Sequence, residues 1–171
     1  MCGITGLLDF KHNTDKVTLK KMTDTLYHRG PDHSGYFLEK LALAQVGLGH
    51  RRLSIQDLSP NGNQPMTFDD ITIIYNGEVY NFKEIRKKLV NYGYSFESHS
   101  DTEVILKAYH KWGIDAVTYF NGMFAIAIFD GKAQSLTLIR DRAGVKPLYW
   151  YQKDGLFLFS SELKSFHEHP Q

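Results

Sequence analysis

The chain's one cysteine, Cys2, stands directly behind the initiator methionine, and that position sets what its thiol could do. A lone cysteine without context is usually an inert, small hydrophobe. Methionine aminopeptidase, however, removes Met1 when the next residue is small, which leaves a thiol and a free α-amine on the same residue. An α-amine with an unperturbed pKa of roughly 7.7 to 8.0 serves as a general base near neutral pH. Nucleophile and base would then come in one residue. Gly3 is expected to leave room for a substrate to approach closely, and the apolar run Ile4 to Phe10 to fix the terminus into a sheet.

Other residue types in the chain could do chemistry, but each has a plainer reading. Asn76-Gly77 is, by itself, a type I′ hairpin signal, yet it follows a β-branched run and precedes a helical pattern, so no paired strand is expected after it. In the Arg51-Arg52 pair, extended backbone sends adjacent side chains to opposite faces, so only one can enter a pocket and the other reads as a solvated surface charge. Asp101-Thr102-Glu103 looks like a helix start, with Asp101 as N-cap. Eight histidines invite a metal hypothesis, but none forms a His-Glu-x-x-His or Cys-His ligand set, so no metal is expected.

Hydrophobic periodicity outlines the elements that must position these residues. Ile4 to Phe10 reads as a strand, and Thr18 opens a helix carrying Leu19, Met22 and Leu26 that stops near Arg29-Gly30-Pro31. Tyr36 to Leu38 and Leu41 to Leu48 read as strands joined by Glu39-Lys40, Arg52 to Ile55 as an extended continuation, and Ile71 to Tyr75 as a buried strand. Asn81 is expected to cap a helix bearing Ile85, Leu89 and Tyr92, with Gly93 as its stop. A second helix runs from about Asp101 to Trp112. Two hairpins follow, one around Asp130-Gly131 and one around Lys153-Asp154-Gly155. Trp112, Trp150 and the Phe120 to Phe129 stretch read as core, and the tail after Ser165 as loosely held. Strands at both ends with helices between them point to an α+β fold of antiparallel sheets with helices packed outside.

Composition bounds the function. With 171 residues, 42% hydrophobic and 23% charged, the chain is an ordinary globular sequence, expected to form one domain over residues 1–171. A net charge of +1 and only short basic runs give no footprint for nucleic acid. No segment approaches the roughly 20 apolar residues needed to span a bilayer, and no basic n-region with an apolar h-region opens the chain. A cytoplasmic protein is expected.

The motifs taken together are more specific than any one of them. Cys2-Gly3-Ile4, Arg29-Gly30-Pro31-Asp32, Arg52-Leu53-Ser54-Ile55, Tyr75-Asn76-Gly77-Glu78-Val79-Tyr80-Asn81, Ser100-Asp101-Thr102-Glu103, Gly122-Met123-Phe124-Ala125, the run from Arg140 to Tyr149 and Ser160-Ser161-Glu162-Leu163-Lys164 appear in the order seen in class II glutamine amidotransferases. More narrowly, the chain resembles the glutaminase domain of glutamine-hydrolysing asparagine synthetases, from Cys2 to about Phe166.

That resemblance implies an Ntn-hydrolase fold, a four-layer αββα sandwich of two antiparallel sheets flanked by helices. It also implies hydrolysis of L-glutamine to glutamate and ammonia through a thioester on Cys2. Asn76, by its side-chain amide, and Gly77, by its backbone N–H, would stabilise the oxyanion. Arg52 would bind the glutamine carboxylate, with Leu53, Ser54 and Ile55 completing the wall, and Asp101 and Glu78 would bind the ammonium. His28 and Arg29 would support the pocket. No cofactor is expected in this domain, since ATP and Mg belong to the larger synthetase domain of the family and no pyrophosphate or Walker-type loop occurs here. The implied partners are glutamine and an ATP-dependent synthetase domain or subunit, with a homodimer left open, and the Arg140 to Tyr149 and Ser160 to Lys164 segments are expected on the synthetase side. Two alternatives stand beside this reading: a non-catalytic glutamine-binding or regulatory module, and a glutaminase serving another acceptor such as a sugar in polysaccharide biosynthesis.

Overall fold

A computed structural model describes residues 1–171. In chain order the elements are β1 (Gly3–Asp9), α1 (Lys16–Asp24), β2 (His33–Lys40), β3 (Gln45–Arg52), β4 (Met66–Phe68), β5 (Ile71–Val79), α2 (Phe82–Asn91), α3 (Asp101–Trp112), β6 (Gly122–Asp130), β7 (Ser135–Arg140), β8 (Tyr149–Lys153) and β9 (Leu156–Ser160). They form two antiparallel sheets, one ordered β2-β3-β1-β9-β8 and the other β4-β5-β6-β7.

Strand alternation builds the layers. Along β1, Ile4 and Leu8 face the second sheet, where they join Val46, Leu48, Ile74, Ala125, Ala127 and Phe129 in the central core. Leu7 faces the other way, onto Leu19 and Met22 of α1. Along β5, Ile74 points to the central core while Ile71, Ile73 and Tyr75 pack against Ile85 and Leu89 of α2 and Val104, Ile105 and Ala108 of α3. Because both faces of each sheet are covered, the stack is helix, sheet, sheet, helix, as expected. β1 lies between β3 and β9, so the backbone next to Cys2 is hydrogen-bonded from both sides instead of fraying.

Several local expectations shift. Asp15 caps α1, its side chain accepting from the Thr18 N–H at 2.7 Å, so the helix begins at Lys16, ahead of Thr18. The turn between β2 and β3 spans residues 41–44, beyond Glu39-Lys40, because the pairing runs out to Lys40 with Gln45. Asn81 does not cap α2 with its side chain; that amide instead ties the helix to the start of β6, donating to the Tyr119 carbonyl at 2.8 Å and accepting from the Asn121 N–H at 3.0 Å. Trp150 is 65% exposed, on an edge strand exposed throughout its length, and so is not core. The tail is also held more firmly than its composition suggests. Ser165 is fully buried, bonded to Thr5 at 2.8 Å and to the Met22 carbonyl at 3.0 Å, and His169 meets Thr14 at 3.0 Å. No helix is long and apolar enough to cross a membrane.

Candidate active site

Where the two sheets part at one end, a cleft of ≈ 150 Å³ is lined by Cys2, Arg52, Leu53, Ile55, Asn76, Gly77, Glu78 and Asp101, together with Met1, Gln56, Asp57, Gly62, Gln64, Tyr75, Met123 and Lys146. Of the residues expected at a site, only Ser54 is missing from this lining. Its N–H instead donates to the Asp32 Oδ2 at 2.8 Å.

The nucleophile candidate sits on the last residue before β1. Its Sγ lies 3.4 Å from the Leu53 N–H, which donates to it, and 3.7 Å from the Leu53 carbonyl. Burial pushes the Cys2 thiol up, while the bond from Leu53 and the positive charge of Arg52 pull the other way. A thiol in that setting needs a base at hand to become a thiolate. Arg29 steadies the backbone here, its Nε donating to the Cys2 carbonyl at 3.0 Å and its Nη1 to Glu162 at 3.0 Å. Gly3 has a different role from the one expected. A Cβ there would lie 2.8 Å from the Leu26 Cβ, so the glycine lets the strand pack on the segment after α1 and does not make room for a substrate.

Across the cleft, the Asn76-Gly77 pair lies inside β5, with Asn76 opposite Ala125 and Gly77 opposite Phe124, not in a turn after it. Asn76 is 1% exposed and its amide nitrogen is buried without a hydrogen-bond partner. Since buried donors are almost always satisfied, an orphaned one facing a cleft marks a place for an acceptor. The Gly77 N–H can be placed by alternation. Its partner Phe124 turns its own N–H and carbonyl toward Asp141, at 3.1 and 2.8 Å, away from β5. Tyr75 and Val79, two residues to either side, turn theirs to the free edge, where the Gln64 side chain and Asp101 accept them at 2.6 and 2.9 Å. Gly77 therefore also presents its N–H to that edge, which β4 leaves open beyond Ile73. Only glycine fits there, because a Cβ would fall 2.2 Å from the Met123 carbonyl oxygen.

Charge is arranged at the two ends of the cleft. His50 and Arg52, two apart on β3, both point inward, while Arg51 points out and pairs with Asp24 at 2.7 Å beneath Tyr27. Arg51 is thus a partly buried ion-pair member and not a solvated surface charge. The Arg52 Nη1 donates to the Ser59 carbonyl at 2.8 Å and to Asn63 Oδ1 at 2.7 Å, and its Nη2 to the Asp57 carbonyl. Three of the five guanidinium N–H donors are thereby used, leaving those on Nε and one on Nη2. Gly62 closes over this guanidinium, where a Cβ would lie 2.3 Å from Nη2.

Asp101 is the first residue of α3, but Ser100 is its N-cap, with the Ser100 Oγ accepting from the Glu103 N–H at 3.4 Å. The Asp101 Oδ2 accepts from the Tyr75 hydroxyl at 2.7 Å as well as from Val79, and both bonds fall on that one oxygen. Burial pushes its carboxyl up, with the Val79 and Tyr75 bonds opposing. Glu78 meets the amide of Gln56.

Sequence reasoning passed over Gln64, Tyr75 and Lys146. Tyr75 is hidden in an apolar strand, and nothing in its neighbourhood announces that its hydroxyl reaches Asp101. Lys146 was expected at an interface. It is 3% exposed, with its Nζ 2.6 Å from the Met1 sulfur.

Two antiparallel sheets with flanking helices make this an Ntn-hydrolase fold of the amidotransferase type, and one cleft in it is lined both by a near-terminal thiol just ahead of a central strand and by an orphaned amide. Among solved structures, the glutamine phosphoribosylpyrophosphate amidotransferase from B. subtilis complexed with ADP and GMP shares this fold, with a TM-score of 0.78 at 19% identity, over 97% of this chain and 43% of that one. The profile of the glutamine amidotransferase domain matches residues 1–171, and the chain belongs to that family. It is 46% identical to asparagine synthetase [glutamine-hydrolyzing] 3 of Bacillus subtilis, over 99% of this chain and 28% of that protein. It is 41% identical to asparagine synthetase [glutamine-hydrolyzing] 1 of the same organism, over 96% of this chain and 26% of that protein. The chain therefore spans little more than a quarter of the length of these relatives, and is homologous to their glutamine amidotransferase part.

Proposed function

We propose that this domain hydrolyses L-glutamine to glutamate and ammonia, with Cys2 as the nucleophile once Met1 has been removed. The observation that carries this reading is the orphaned Asn76 amide beside the outward Gly77 N–H, across one cleft from the Cys2 thiol. The α-amine of Cys2 takes the thiol proton, and Sγ bonds to the side-chain amide carbon of glutamine. The amide oxygen, now negative, lies between the Asn76 Nδ2 and the Gly77 N–H. Collapse breaks the carbon–nitrogen bond, and the amine's proton leaves with the ammonia. Water then cleaves the thioester to glutamate and restores the thiol. The two free N–H groups of Arg52 suit the substrate carboxylate, and the Asp101 Oδ1 with Glu78 suits its ammonium. Leu53 and Ile55 supply apolar wall.

We further infer that the ammonia serves an ATP-dependent synthetase domain or subunit that amidates aspartate in the cytoplasm; the relatives named as glutamine-hydrolysing asparagine synthetases support the asparagine-forming part of this reading. On this reading ATP and Mg act on that partner and the present domain needs no cofactor. The exposed aromatic edge of β8, with Tyr149, Trp150 and Tyr151, is the surface we assign to it. The test is Cys2→Ala in the processed protein. Ammonia release from glutamine falls to background while glutamine binding persists, and intact mass shows loss of one methionine from the wild type. Full activity with Met1 retained would refute the mechanism.

A further inference from the structure

His50 and Gln64 have no place in the chemistry above, yet they hold the strand that carries the oxyanion donors. The open edge of β5 exposes both polar groups of Tyr75, and each is taken by a side chain from a different element. The N–H donates to the Gln64 Oε1 at 2.6 Å, and the carbonyl accepts from the His50 Nε2 at 3.2 Å. Gln64 is fixed in turn by its Nε2, which donates to the Thr102 hydroxyl of α3 at 3.1 Å. The Tyr75 carbonyl belongs to the peptide that leads into Asn76, and the next outward N–H along the edge is that of Gly77. A clamp on Tyr75 therefore sets the plane from which both donors project.

His50 is an unusual choice for packing alone. It is fully buried between the sheets, and its Nδ1 has no hydrogen-bond partner. An aliphatic side chain would fill such a position without burying a polar atom. What the imidazole adds is one N–H aimed across from β3 to β5. Burial lowers its pKa to about 3, with the bond to Tyr75 opposing, so the ring is neutral in the working range and keeps Nε2–H as its single donor. The charged and titratable groups around it are Arg52 on its own strand and His33 on β2. Neither is within hydrogen-bond reach of its ring.

We propose that His50, together with Gln64, is a positioning residue for the oxyanion cradle: by clamping the Tyr75 carbonyl and N–H it fixes Asn76 and Gly77 against the developing charge. This rests on the glutaminase reading and adds two residues whose hydrogen bonds go to the strand that carries the cradle, His50 from outside the cleft lining and Gln64 from its wall. Donors that stabilise a transition state must be held within about half an ångström, and a misplacement of about 1 Å costs up to roughly a hundredfold in rate.

The experiment compares His50→Leu, His50→Gln and Gln64→Met with the wild type by steady-state ammonia release, by thermal melting, and by binding of a glutamine analogue whose side-chain amide is replaced by an aldehyde. That analogue forms a tetrahedral adduct with the thiol. His50→Leu and Gln64→Met are expected to lower kcat about tenfold or more with KM within about twofold, and to weaken the aldehyde but not glutamate. His50→Gln, which keeps a donor at the same reach, recovers most of the loss. The inference is overturned if His50→Leu keeps the wild-type kcat, or if the Leu and Gln variants lose activity equally and in step with their melting temperatures. Should His50→Leu not fold, Gln64→Met and His50→Gln decide by the same readouts. A wild type that releases no ammonia from glutamine would instead bring down the glutaminase reading, and this inference with it.

Discussion

Replacing Asn76 by alanine separates catalytic from structural roles, because the two lead to opposite outcomes. In most buried positions, removing an amide breaks hydrogen bonds and destabilises the fold by about 1–3 kcal/mol. Here the Asn76 Nδ2 has no partner to lose, and its strand neighbours are bonded through the backbone to β6. The fold should therefore keep its stability to within about 1 kcal/mol. The transition state would lose one of two donors, which in comparable oxyanion sites costs about 10²–10³ in kcat, or roughly 2.7–4 kcal/mol. Because the negative charge exists only after attack, KM should hardly move. Steady-state ammonia release and thermal melting of the same preparation give both quantities. A variant with unchanged kcat, or one whose activity falls only as its melting temperature falls, would refute the assignment of the donor.

Arg52→Lys keeps the charge but loses the planar fork that holds Ser59, Asn63 and Asp57 on one side and leaves two donors free on the other. The expected result is a rise in KM of about tenfold or more with kcat little changed, since carboxylate binding is the same in ground and transition states. Glutamine affinity of the Cys2→Ala protein, followed calorimetrically from pH 7 to pH 4, should weaken on acidification. Burial raises the Asp101 pKa above its ordinary value of 3.8, and protonation removes the charge that would hold the substrate ammonium. Below the raised pKa the loss approaches about tenfold per pH unit; substituting Asp101 by Asn should remove this acid-side loss, and an Asn variant that binds glutamine as tightly as the parent at pH 7 would exclude Asp101 as the ammonium partner.

The sequence alone determined which chemistry was at hand and in which class of fold. A small residue after Met1, a strand-forming run behind it, and hydrophobic periodicity were enough for the thiol and for antiparallel sheets with outer helices, because periodicity and end signals are local properties of the chain, while the two-sheet sandwich followed from the resemblance that the ordered motifs carry. Two glycine stops are legible for the same reason: Gly93 and Gly113 end α2 and α3 at φ of 91° and 58°, where other residues are strained, whereas α1 already ends at Asp24, ahead of the stop expected near Arg29-Gly30-Pro31. So did the second hairpin, whose Asp154 and Gly155 both turn at positive φ.

Where shared polar groups go depends on long-range packing. Asn76-Gly77 reads as a turn until β6 pairs with it, and the Gly77 N–H becomes free only because β4 is too short to cover β5. Asn81, Ser165 and His169 looked like a cap and a loose tail, but their partners lie 38 to 160 residues away in sequence. The clamp of His50 and Gln64 on Tyr75 is of the same kind. A hydrogen bond between distant segments leaves no periodic trace in either one, so it becomes visible only when packing brings the two sheets face to face.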